Sequence, residues 1–166
     1  PNLLDAARKN AARGLHDVAF CEVGLQFHDV MPSGQKMIAA GIRTGTHTNY
    51  VHGEQFQKCT PPLDAFDAKS DAIAVLSALG VQKFDITTNT PAWYHPGRSG
   101  SLTLGGKIIL GYFGELHPAL LKAMDMEGKT VAAFELFLDA IPAPRAKGKA
   151  KASLKLSAYQ AATRDF

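Results

Sequence analysis

Leu3, Leu4, Ala7 and Ala11 recur at helical spacing, and Gly14 stands where such a helix would stop. The pattern predicts a first helix from about Asn2 to Arg13. The period then changes to two. Ala19, Cys21, Val23, Leu25 and Phe27 alternate with Glu22, Gln26 and His28, which predicts a strand with one well-buried face. Cys21 falls on that face and reads as an inert packing residue. Pro32-Ser33-Gly34 makes a turn, and Lys36 to Thr44 reads as a second strand antiparallel to the first. Gly45 to Pro62 has little periodicity and reads as a long loop. Phe66 to Leu79 is the clearest helix, with Ala72, Ile73, Leu76 and Leu79 on one face and Gly80 closing it. A strand over Lys83 to Thr88 ends at Asn89-Thr90-Pro91. Leu102-Thr103-Leu104 and Lys107 to Phe113 form a hairpin about Gly105-Gly106, since two glycines supply the positive φ angles of a tight turn. Pro118 opens a short helix through Met124. Thr130 to Leu138 is apolar on both faces and therefore belongs in the middle of its sheet. A final helix or extended segment follows a basic loop.

Strands joined by short turns, with helices between some of them, predict an α+β fold: an antiparallel sheet flanked by helices. No glycine-rich phosphate loop follows a strand, because Gly111-Tyr112-Phe113-Gly114 has the wrong spacing and context.

A length of 166 residues allows one domain with a sizeable core. Hydrophobic residues make up 46% and charged residues 20%, as in soluble globular chains. No apolar run approaches the ~18 residues a membrane span requires, and no signal peptide is visible. Two cysteines, Cys21 and Cys59, are too few for a disulfide framework or a four-cysteine zinc site; they read as free thiols of a cytoplasmic protein. A net charge of +3 is too small for the bulk of the domain to grip nucleic acid. The charge is uneven, however. Arg145, Lys147, Lys149, Lys151 and Lys155 lie in a Pro/Gly/Ala-rich stretch, either a solvated loop or a set of phosphate contacts.

Candidate chemistry centres on two polar segments flanking the hairpin: Tyr94-His95-Pro96-Gly97-Arg98-Ser99 and Gly111-Tyr112-Phe113-Gly114-Glu115-Leu116-His117-Pro118. His95 and Arg98 beside Gly97 fit a small anion site. The same residues also fit a self-contained turn, with Arg98 paired to Glu115 and His117 starting a helix. The histidines show no metal-binding spacing; His47 and His52 lie in the long loop. Ser99 and Ser101 lack a nucleophile context.

These paired segments resemble a signature of phenylalanyl-tRNA synthetase β subunits, in their catalytic-core-like domain. Cys21-Glu22-Val23-Gly24-Leu25-Gln26-Phe27 is similar to that family's Phe-Glu-Ile-Gly strand, with Cys21 replacing the aromatic. Phe66 to Asp71 resembles its Lys-Gly-Asp helix start, with Ser70 replacing glycine. Phe134-Glu135-Leu136-Phe137-Leu138 looks like its terminal strand, and Arg164-Asp165-Phe166 looks like the entry to its next, anticodon-binding domain. The resemblance implies a class II synthetase-like core over residues 1–141, with 142–166 leading onward, so that the chain is a segment of a longer subunit. It implies a catalytic α subunit as partner in an (αβ)2 assembly, tRNA(Phe) bound by the complex, and ATP and Mg2+ at the α-subunit site with no cofactor in this domain. Tyr94, His95, Gly97, Arg98, Glu115 and His117 would be its structural or interface signature, and Arg145, Lys147, Lys149 and Lys151 the candidate nucleic-acid contacts.

The sequence itself bears on catalysis. Class II adenylation holds ATP phosphates with arginines in two motif contexts, because a guanidinium is permanently charged and binds oxygens bidentately. The six arginines are Arg8, Arg13, Arg43, Arg98, Arg145 and Arg164. None lies in either context, and losing even one preorganised donor costs about 10²–10³ in rate. The expectation is a non-catalytic interaction domain, with residual ATP or adenylate binding, or tRNA contact through the basic stretch, as rivals.

Overall fold

In the computed structural model, residues 1–46 and 62–143 are described. Three helices, α1 (Asn2–Ala11), α2 (Ala65–Ala78) and α3 (Pro118–Ala123), accompany six strands. These are β1 (Val18–Phe27), β2 (Gln35–Thr44), β3 (Asp85–Thr87), β4 (Tyr94–Leu104), β5 (Ile108–Leu116) and β6 (Val131–Phe137). They form one sheet in the order β1-β2-β6-β5-β4-β3, and every adjacent pair is antiparallel. The α+β architecture expected from the pattern is the one observed.

β6 lies between β2 and β5, as its two apolar faces require. On one face Ala132, Phe134 and Leu136 join Ala39, Phe113 and the Ala68-Ala72-Leu76 stripe of α2. On the other, Val131 and Ala133 join Ile42, Tyr94, Leu116, Leu4 and Ala7 of α1, and Leu121 of α3. The helix α2 starts at a capping box: Asp64 accepts from the Phe66 N–H, and Asp67 accepts from the Asp64 N–H, both at 2.7 Å. Arg43 clamps this helix to β2 by donating from Nε and Nη2 to Asp71, at 2.6 and 2.9 Å.

Four expectations need correction. The alternating apolar face of β1 is not buried: Cys21 is exposed, Val23 is 66% exposed and Phe27 67%. Period two shows that residues share a face, but a covering element decides which face is buried. Here α1 covers the opposite face, through Val18 and Phe20, while α2 packs against β6, β5 and β2. Leu79, expected on the buried side of α2, is 39% exposed, because the helix ends one residue earlier. β3 keeps only three paired residues at the sheet edge. β4 extends back to Tyr94, so the His-Pro-Gly-Arg segment is part of an irregular strand and not a turn outside the hairpin. Of the long loop, Thr46 and Pro62 form a bridge that ties its ends. His47, His52, Cys59 and the basic stretch with Arg145, Lys147, Lys149 and Lys151 lie outside the described residues.

The irregularity is where the two signature segments meet. Between the Tyr94–Leu116 and Ser99–Gly114 pairs, β4 advances five positions and β5 only two, so Pro96 needs no ladder partner. Gly114 faces this bulge with φ +144°, and a Cβ there would meet Ser99 and the Arg98 carbonyl oxygen. We expect Gly114→Ala to cost about 1–3 kcal/mol from backbone strain alone. Urea unfolding would measure it; an unchanged midpoint would refute this role for the glycine.

Candidate functional site

The bulge brings most of the signature residues into one corner. Arg98 Nε donates to Glu115 Oε2 at 2.6 Å, so the pairing expected from sequence is present. The Glu115 side chain is almost covered, whereas half of Arg98 faces solvent. The Gly97 N–H donates to His95 Nδ1 at 3.1 Å, and Ser99 Oγ donates to the His95 carbonyl at 2.6 Å. Thr90 and Ser99 hydroxyls are 2.9 Å apart. These bonds close the bulge on itself. His117 is the N-cap of α3: its Nδ1 accepts from the Ala119 N–H at 3.1 Å, and its own N–H donates to the Trp93 carbonyl at 2.8 Å. Among the described residues, no group of three metal-ligating side chains converges.

Tyr94 belongs to a different environment. Its ring is buried between the sheet and α1 and α3, and its hydroxyl has no hydrogen-bond partner among the described residues. Burial first, then the neighbouring Glu135 carboxylate and Tyr112, hold this hydroxyl protonated far into alkaline pH. Tyr112 lies 6.3 Å from Tyr94 between ring centroids and meets Phe137 edge-on at 5.6 Å. Glu135 sits opposite Tyr112 across β5 and β6. Burial raises its pKa above 4.5, against the smaller opposing effects of the Pro1 amino group and a hydrogen bond from Trp93.

Glu135 and Trp93 line a cavity of about 420 Å3 on this face. Its walls include Leu4 of α1, Leu120 of α3, and Ile38 and Ile42 of β2. Glu22 and Gln26 of β1 and Asn2 of α1 add polar lining, and among the described residues no lysine or arginine side chain contributes. Of the arginines described, Arg8 pairs with Asp5, Arg43 with Asp71 and Arg98 with Glu115. Sequence reasoning missed Glu135 and Trp93 as members of a site. The available signal was a lone carboxylate inside a strand apolar on both faces.

A third feature is the uncovered stripe of β1. Cys21, Val23, Leu25 and Phe27 run along the outermost strand on the α2 side, and Val30 and Met31 continue the apolar surface beyond its end. This surface is both apolar and at an open sheet edge, the combination that invites association.

Comparison with known proteins gives a consistent result. Residues 1–138 match the family model described as the phenylalanyl tRNA synthetase beta chain CLM domain. The whole chain is 46% identical to the phenylalanine–tRNA ligase beta subunit of Bartonella quintana and 47% identical to that of Bartonella henselae. It is 46% identical to the beta subunit of Paramagnetospirillum magneticum. The chain spans 20–21% of the length of these curated relatives. Among solved structures, a pyrrolysyl-tRNA synthetase from Desulfitobacterium hafniense superposes with a TM-score of 0.59 at 15% identity, over 85% of this chain and 46% of that one. A second structure of that organism's pyrrolysyl-tRNA synthetase gives 0.60 at 14% identity over the same shares. These two likenesses establish a class II synthetase-type fold.

Two outcomes are expected of the site. In a double-mutant cycle, Arg98→Met and Glu115→Gln should couple by about 1 kcal/mol, less than a buried pair because Arg98 is half exposed; strictly additive effects on unfolding would contradict the pairing. For Glu135, the folded state holds its proton more tightly than the unfolded state, so its contribution to stability falls as pH rises from 4.5 through the raised value. Glu135→Gln should flatten that fall, as read from thermal unfolding across pH 4 to 8, and an identical slope in both proteins would contradict the assignment.

Proposed function

The chain belongs to the family of phenylalanyl-tRNA synthetase beta chain CLM domains, and from that premise we propose that it is a non-catalytic docking domain for the catalytic α subunit. The reading rests on the uncovered apolar stripe of β1, where Val23, Leu25 and Phe27 remain in water on the isolated domain. Contiguous apolar surface at an unpaired edge is costly to leave solvated and is stabilised by a partner. In this proposal the assembly is (αβ)2 and works in the cytoplasm on tRNA(Phe), and ATP and Mg2+ act at the α-subunit site. Among the described residues no lysine or arginine side chain lines the cavity, which supports placing adenylation on α, since phosphate oxygens need fixed cations. The tRNA-contacting alternative depends on Arg145, Lys147, Lys149 and Lys151. Among the described residues, no helix is long and apolar enough to cross a membrane.

Size-exclusion chromatography of the chain with added α subunit tests the proposal. Co-elution is expected, and Val23→Glu with Phe27→Glu should weaken it at least about tenfold, because central apolar anchors dominate interface energy. These exposed substitutions should leave the stability of the chain within about 0.5 kcal/mol. A chain indifferent to α, or a double variant that binds as well as the parent, would reject the reading.

A further inference from the structure

The cavity against α1 and α3 has a chemistry that the docking role does not use. It is concave and largely apolar, and its volume of about 420 Å3 falls in the range of small-molecule sites. Among the described residues its charged side chains are of one sign. Glu135 and Glu22 contribute carboxylates, Gln26 and Asn2 amides, and Trp93 an aromatic ring. A triphosphate or a carboxylic acid would meet like charge here. A cation on an apolar body would meet complementary charge from Glu135 and the π face of Trp93.

We propose that this cavity binds a compact, apolar primary amine, with the ammonium group against Glu135 and the hydrocarbon body against Ile38, Ile42 and Leu120. The position of Glu135 supports the assignment. It is held within β6, opposite Tyr112 on β5 and Ala40 on β2, and cannot swing into bulk water as an edge residue would. The Trp93 indole supplies it a hydrogen bond, and burial leaves its charge poorly solvated. The Tyr94 hydroxyl beside it has no partner among the described residues. A carboxylate so placed gains more from an incoming cation than an exposed one would. The proposal is independent of the docking role, because Val23 and Phe27, which test that role, do not line the cavity, and of the stripe residues Leu25 alone does.

The test uses 2-phenylethylamine and its neutral isostere 2-phenylethanol, added to the chain with its amino terminus acetylated so that no terminal ammonium competes. Trp93 is the chain's single tryptophan, and its fluorescence reports occupancy. Saturable binding of the amine is expected, about tenfold tighter than that of the alcohol, equivalent to about 1.4 kcal/mol. In Glu135→Gln the two affinities should become equal, through weakening of the amine alone. Ala40→Leu, which fills the cavity, should abolish the response to both compounds. No saturable response to the amine in the acetylated parent, equal affinities there, an amine preference surviving in Glu135→Gln, or undiminished binding in Ala40→Leu would each overturn the proposal. The parent comparison and Ala40→Leu stand even if Glu135→Gln fails to fold.

Discussion

One strand carries the packing of both faces. β6 has neighbours on each side and a hydrophobic cluster above and below it, so Val131 and Leu136 are without solvent contact although they point in opposite directions. Such a strand gains from burial on both faces, and a fully covered Val or Leu side chain contributes roughly 1.5–3 kcal/mol relative to exposure. The helices are arranged by the same requirement. α2 covers one face, and α1 and α3 divide the other, each meeting β6 or its immediate neighbours. Coverage weakens outward from that line. The edge strands β1 and β3 are what the helices do not reach, and their exposure follows from where the cover was placed.

That geometry explains why the apolar side of β1 is significant. An ordinary edge strand is protected by charge, proline or brevity. β3 is short, with three residues. β1 is ten residues long, and its α2-side residues from Ala19 to Phe27 carry no charge. The stripe is the continuation of the sheet face that α2 buries nearer the centre: Val23 is in register with Ala39, and Ala39 with Leu136. A row that begins in the core and ends in water is the physical shape expected of a surface completed by another polypeptide.

Much of this was legible in sequence because local and tertiary preferences agree. Gly105 and Gly106 adopt φ of 59° and 68°, the tight hairpin that a two-glycine turn between apolar runs predicts. The apolar run from Val131 to Leu138 could satisfy both its faces only in a central position. Arg98 and Glu115 lie in the two polar segments that flank the hairpin, and they pair. What was not legible depended on elements distant in sequence. The alternation in β1 is the same whether α2 lies above it or stops short, so period alone could not tell an inner face from an outer one. The bulge at His95 to Arg98 was also hidden. Pro96 argues against a strand when read locally, and only the partner strand, with Gly114 at positive φ, makes room for it. Glu135 was hidden for a related reason: its neighbours in sequence are core residues, while the groups that define its environment come from β2, β5 and the segment before β4.

The placement of charge joins the two faces into one argument. Arginine is the side chain that a phosphate site most needs, and in three of the four described cases its guanidinium meets a carboxylate of the fold: within α1, between β2 and α2, and across the β4–β5 bulge. The second and third of these pairs fix an element against its neighbour. The cavity is lined by carboxylates and aromatic groups and, among the described residues, by no cationic side chain. The floor of the cavity is therefore lined by side chains that favour positive over negative charge. Glu135 stands within the central strand and Glu22 at the edge of the same floor, and on the docking reading their carboxylates would repel a polyphosphate.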